Sequence, residues 1–204
     1  MLLPKRRYLF LLTLAAAAVL ILPAYLRAYT VSGASDAPTL LLGDTAIVNR
    51  AAYWVQLPYS RIRLFRVSRP KRGDLVQVLR PDRPLLVFKR VIGLPGETIE
   101  MRDNRIFVNG RVLPLTTLPA ADFSWVPASH SMAGTVYDED GHWAAFAAGA
   151  GEYRDLAPLR LNKDEYFVLG DNRDISLDCR VWGPLKERAI FGKVLFVLRT
   201  GPRK

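Results

Sequence analysis

A serine with cleared surroundings and a lysine in an apolar run are the two groups of this chain best suited to covalent chemistry. Ser35 lies in Val31-Ser32-Gly33-Ala34-Ser35-Asp36-Ala37-Pro38-Thr39-Leu40, where Gly33 and Ala34 keep bulk away from the hydroxyl. Such a serine can meet a carbonyl carbon with backbone N–H groups close by, which is what acyl transfer requires. The same composition also suits a structural turn. Lys89 lies in Leu85-Leu86-Val87-Phe88-Lys89-Arg90-Val91-Ile92, and in a strand side chains two apart share a face, here Leu85, Val87 and Val91 with Lys89. Burial among them disfavours the ammonium, and a free amine can take the proton of a serine hydroxyl. A lysine that snorkels out, or pairs with an acid, fits the same strand. Arg90 shares its face with Leu86, Phe88 and Ile92 and needs a partner, because a guanidinium does not lose its proton on burial. A third stretch, Gly170-Asp171-Asn172-Arg173-Asp174-Ile175-Ser176-Leu177-Asp178-Cys179-Arg180, gathers acids, arginines, an amide and a hydroxyl. It suits a solvated loop or a network that orients a site, with Asp171 on offer to Arg90.

Short strands joined by turns are the elements that would position these groups. Thr45–Asn49 follows a turn at Gly43-Asp44, and Leu75–Leu79 follows Gly73-Asp74. The apolar run 85–92 predicts a strand buried on both faces. Residues 97–102 and 105–108 form a hairpin across Asp103-Asn104, and Asn109-Gly110 turns the chain into a return strand at 111–113. Residues 50–72 read as an irregular basic connection, and about 114–159 as a peripheral insertion or small subdomain. Strands resume at 165–169 and 189–198. With 14 prolines and 14 glycines in 204 residues, the expected fold is mainly β, two packed antiparallel sheets.

Ahead of the serine stretch, Lys5-Arg6-Arg7 precedes an apolar run from Tyr8 to Leu26, about nineteen residues, close to what a helix needs to cross a bilayer. It is longer than the apolar core of a cleaved secretory signal, so residues 1–28 are expected to be a cytoplasmic stub and transmembrane anchor. Residues 29–204 are then an exported catalytic domain. The single cysteine, Cys179, allows no intramolecular disulfide. His130 and His142 lack metal-ligand spacing and read as loop residues. The charge of +10 comes without a helix-turn-helix, zinc-finger or RNA-binding signature, so no nucleic-acid partner is expected. In the densest basic run, 61–72, arginines alternate with Ile62, Leu64, Phe65 and Val67, which suits a surface near lipid headgroups or a solvated connection.

Taken together, the three stretches resemble the bacterial type I signal peptidases, membrane-anchored serine/lysine proteases. Their serine box, Val-x-Gly-x-Ser-Met-x-Pro-Thr-Leu, matches residues 31–40 everywhere except Asp36. Gly43-Asp44, Arg72-Gly73-Asp74, Lys89-Arg90-Val91-Ile92-Gly93-Leu94-Pro95-Gly96 and the 170–180 stretch agree in order. The resemblance implies a β domain of two antiparallel sheets behind one transmembrane helix, in the bacterial plasma membrane, with the N-terminus cytoplasmic and the catalytic domain outside. It implies Ser35 as nucleophile, Lys89 as general base and Ser176 as a hydroxyl that orients the lysine, with no metal or cofactor. The oxyanion hole would use the Ser35 N–H. Gly33 stands where some relatives donate a side-chain hydroxyl, so a backbone group or Ser32 would serve instead. Asp171, Asp178 and Arg180, with Arg90, are implied to hold the site through ion pairs. Val31, Ser32, Asp36, Leu40, Val87 and Phe88 are implied to line the substrate.

The implied partners are the bilayer and preproteins bearing signal peptides with small residues before the cut. The alternative is a specialised or weakened homologue acting on few substrates, or only binding signal-like peptides. It follows from Asp36, where the family has methionine. A carboxylate within about 4–6 Å of Lys89 favours the ammonium and opposes catalysis, so Asp36 is expected to point to water or to alter cleavage specificity.

Overall fold

The computed structural model of the protein describes residues 5–60, 62–126, 134–147 and 153–200; Arg61 and His130 lie outside them. The N-terminal apolar run forms helix α1, Lys5–Tyr25, which is 21 residues long with Pro23 near its end. Over the described residues no helix is long and apolar enough to cross a membrane; several α1 side chains, Leu9 and Leu11 among them, are outside that description. The expected anchor segment is therefore helical, but no bilayer crossing is read from it. Nor does it reach residue 28, because β1, Leu26–Thr30, already pairs antiparallel with β2, Thr45–Asn49.

The remaining strands are β3 Trp54–Gln56, β4 Arg63–Arg66, β5 Leu75–Leu79, β6 Leu86–Gly93, β7 Thr98–Arg102, β8 Arg105–Val108, β9 Arg111–Val112 and β10 Leu115–Thr117. They continue with β11 Gly134–Glu139, β12 His142–Ala147, β13 Leu156–Arg160, β14 Glu165–Leu169, β15 Leu185–Lys186 and β16 Ile190–Leu198. Among the described residues there are four antiparallel sheets rather than the two expected. A seven-stranded sheet runs β1-β2-β16-β5-β6-β14-β15, beside a four-stranded sheet β13-β7-β8-β9, a three-stranded sheet β10-β11-β12 and the ribbon β3-β4.

The main core joins the two larger sheets: Val76, Val78, Val91 and Phe167 of the first meet Ile99, Met101, Ile106 and Val108 of the second. Leu75 and Phe88, one residue out of phase with Val76 and Val91, join a second cluster with Val31, Leu40, Ala46, Val48 and Val194. The serine stretch is anchored over this second cluster.

Two sequence expectations need correction here. Residues 50–72 hold a real hairpin, because Trp54 is gripped between Arg63 and Arg66, 5.2 and 4.5 Å from its ring. β6 is buried on both faces only from Lys89 onward, and Leu85 is 47% exposed. The reason is the register: β14 pairs only with Arg90, Val91 and Gly93, so Leu86–Lys89 has β5 on one side and no described strand on the other.

The 114–159 region forms a small sheet of its own, β10-β11-β12, with its own apolar cluster around Phe123, Val136 and Ala145, yet it is joined to the rest. β13 completes the four-stranded sheet, and β12 docks on the polar loop after β14, where Ala145 N–H donates to the Asp171 carbonyl and Arg173 N–H to the Ala145 carbonyl. His142, read as a loop residue, opens β12 and is buried.

Candidate active site

Three elements converge on Ser35. The turn 34–40 carries it, β6 carries Lys89, and the loop after β14 closes over both. Asn172 N–H donates to the Ser35 carbonyl at 3.0 Å, and Asn172 Nδ2 to the Ala34 carbonyl at 3.2 Å. The approach is close enough to demand glycine at 170, since a Cβ there would stand 2.2 Å from Ser176 Oγ and 2.4 Å from the Ser35 carbonyl oxygen. On the other side Gly33 is exposed and a Cβ there would meet nothing within 4 Å, which leaves the approach to Ser35 open.

Lys89 Nζ donates to Ser35 Oγ at 2.7 Å, with the lysine only 1% exposed. Asp36 does not point to water. It is 4% exposed, accepts from Ser35 Oγ at 2.6 Å and from Lys89 Nζ at 3.2 Å. Burial raises the Asp36 carboxyl above its ordinary range, against the pull of Lys89, and Asp171 adds to the rise. Ser176 does not take up the expected bond to the lysine. Its hydroxyl is buried and faces Asp178, without reaching a good hydrogen-bond geometry.

The ion pairs fall where the polar loop allowed. Arg90 Nε and Nη2 donate to the two Asp171 oxygens at 3.1 and 2.5 Å, and Thr39 Oγ1 donates to Asp171 at 2.5 Å. Asp178 receives both Nε and Nη2 of Arg180 at 2.8 Å and the Gly170 N–H at 3.0 Å. Burial alone would raise Asp178; Arg180 and that N–H hold it below the ordinary range. Of the residues implied to touch substrate, Ser32 is exposed, and Val87 and Phe88 are half-buried in the part of β6 that pairs with β5 alone among the described strands. Leu40 is wholly buried and Val31 nearly so, both in the second core cluster, where they pack the floor of the turn.

Sequence reasoning missed Asn172, Thr39 and the pair that fastens the insertion. Arg173 is buried, with its guanidinium in two bonds to Glu139 of β11, one from Nη1 at 2.8 Å and one from Nη2. Nothing in Tyr137-Asp138-Glu139-Asp140 marks one acid as buried, so the pairing had no sequence signal. Burial would raise Glu139, but Arg173, with His142 Nε2 at 3.3 Å, brings it down to about 2. Its folded value lies below the unfolded one, so its stabilisation is present above about pH 4.5 and is lost as pH falls toward 2. In acid titration Glu139→Gln should melt below wild type at neutral pH, and the gap should close over that window. A gap that stays constant with pH would show the pair to be of no electrostatic consequence.

Over residues 5–199 the sequence matches the family described as signal peptidase, peptidase S26. The chain belongs to that family. It is a serine peptidase. Its relatives include the signal peptidase I of Pseudomonas aeruginosa, 29% identical over 90% of this chain and 69% of that one. The signal peptidase I of Aquifex aeolicus is 31% identical over 95% of this chain and 82% of that one. A crystal structure of a signal peptidase I from Enterococcus faecalis, 32% identical, covers 64% of this chain and 99% of its own with a TM-score of 0.42. In this S26 peptidase the one serine beside a buried amine is Ser35, among the described residues, and the Asp36 that touches both is absent from the family's serine box as written above.

Proposed function

We propose that this chain cleaves signal peptides from exported preproteins after small residues, with Ser35 as nucleophile and Lys89 as general base. The observation that carries the reading is the 2.7 Å contact between Lys89 Nζ and Ser35 Oγ in a dry site. As Ser35 Oγ bonds to the scissile carbonyl carbon, its proton passes to the Lys89 amine. The lysine then returns that proton to the departing nitrogen. The Ser35 N–H serves the oxyanion. The side of Leu86–Lys89 that pairs with no described strand lies next to the nucleophile, a fitting place for an extended peptide to add as a strand.

The proposed setting is the bacterial plasma membrane. α1 anchors the chain there, with its basic N-terminus in the cytoplasm and the β domain outside. The Tyr25 hydroxyl donates to the Gln56 carbonyl at 2.5 Å, so the helix end is tied to the β3–β4 ribbon. On and beside that ribbon Ile62, Leu64, Phe65 and Val67 are exposed among arginines, a surface suited to the headgroup region. No nucleic-acid partner or cofactor is invoked.

The test is incubation of the full-length protein, reconstituted in phospholipid vesicles, with a secretory preprotein. A single new N-terminus directly after a small residue is the expected product, and a bulky residue placed there should block the cut. Binding of the preprotein without cleavage, across several preproteins, would select the peptide-binding alternative that Asp36 raises and overturn the peptidase reading.

A further inference from the structure

Asp36 closes a triangle with the two reacting groups. Its Oδ2 lies 2.6 Å from Ser35 Oγ and 3.2 Å from Lys89 Nζ, which are themselves 2.7 Å apart. Its Oδ1 is buried with no hydrogen-bond partner, so the carboxylate is committed to this contact alone. The other charged groups near the pair are spoken for: Asp171 is held by Arg90 and Thr39, and Asp178 by Arg180. The Cys179 thiol, which also senses Lys89, is pushed far up by burial and stays neutral. Lys89 therefore has one carboxylate partner, and the hydroxyl of Ser176 makes no bond to it.

We propose that Asp36 is a third catalytic residue, orienting the Lys89 amine and stabilising the ammonium that forms when Ser35 gives up its proton. The inference rests on the Ser35–Lys89 reading above. As the Oγ–carbon bond forms, the carbonyl π pair moves onto oxygen and the serine proton moves to the lysine lone pair. The new ammonium donates to Asp36 Oδ2. When the carbon–nitrogen bond breaks, the ammonium gives its proton to the leaving amine, and the carboxylate has kept its charge throughout. The role parallels that of the aspartate in a serine–histidine–aspartate triad, which holds and stabilises the charged base without taking its proton.

The same carboxylate carries a cost at rest. A charged lysine has no lone pair to offer, so the Ser35 hydroxyl turns to Asp36 and the dyad idles until the ammonium is discharged. Replacing the carboxylate removes both the hydroxyl's alternative acceptor and the ammonium's partner.

Two measurements follow. The pH profile of kcat/KM should differ between Asp36→Asn and wild type, because the carboxylate that touches both reacting groups is gone. Asp36→Asn should also lower the plateau about tenfold to a hundredfold, short of the about 10²–10⁴-fold that a general base supplies. Ser176→Ala should cost less than Asp36→Asn. Asp36→Met, which carries the family's residue, guards against a fold defect particular to the amide and should likewise change the profile, with a lowered plateau. Wild-type profiles and plateaus in both Asp36 variants would overturn the inference. So would a plateau raised in Asp36→Met, which would make the carboxylate a brake only. With Ser35→Ala and Lys89→Ala assayed alongside, full activity in either removes the dyad and the inference with it. Both inactive while Asp36→Asn matches wild type removes Asp36 alone.

Discussion

Asp171→Ala should lower the melting temperature by roughly 10 °C, from a loss of about 3–5 kcal/mol, and abolish cleavage as well. Asp171 is completely buried and Arg90 nearly so, and both oxygens of the one are bonded by the other. Arginine cannot shed its charge to escape the loss. Its remaining acceptors, the Gly73 carbonyl at 2.9 Å and Thr39 Oγ1 at 3.3 Å, are neutral and do not replace a carboxylate. Thr39, in the same turn as Ser35, loses its own acceptor at the same stroke, so the nucleophile's support loosens with the pair. Removing both charges together is the control. Arg90→Met with Asp171→Leu should recover much of the stability, since the desolvation cost disappears with the ions, yet the turn would still lack its tie and activity should stay low. An Asp171→Ala protein that melts with wild type would mean that water reaches Arg90 and that the pair is not structural.

How much of this was legible beforehand depends on whether a residue's role is local. Lys89 was readable because a charged side chain interrupts an aliphatic run, and Arg90 next to it demanded an acid, for which Asp171 was on offer. Turn chemistry placed β2, β5 and β8 to the residue and β7 to within one, since Gly, Asn and Asp mark where backbones reverse whatever the tertiary context. Burial on two faces was misjudged at Leu85 and Leu86, because the pairing register of β14 stops at Arg90 and a register is not written in either strand alone. The water-facing option for Asp36 failed for the opposite reason. A carboxylate reads as solvent-seeking, and only the arrival of Lys89 from β6 gives it a partner worth burying. Glu139 and Arg173 lie far apart in sequence in stretches that both look solvated, and their pairing exists only once β11 is laid against the loop.

Lys89→Met should reduce kcat/KM by about 10²–10⁴-fold, and Ser35→Ala should leave no cleavage that an active-site serine could account for. Methionine keeps the length and packing of the lysine stem while removing the amine, so the loss reads the chemistry and not a cavity. The variant has a second signature, in stability. Burial already raises Asp36, with Lys89 as the chief opposing influence; without the lysine the carboxyl holds its proton more tightly. Its folded value then lies further above its unfolded one, so the folded state keeps a proton that the unfolded chain releases. Stability is lost as pH rises above the ordinary carboxylate range. Melting followed from acid to neutral pH should show Lys89→Met falling away from wild type, and Lys89→Met with Asp36→Met should flatten that fall while remaining inactive. If the single variant cleaved at the wild-type rate, Ser35 would be taking its activation from some other base, and the nearest group able to supply it would be Asp36 itself.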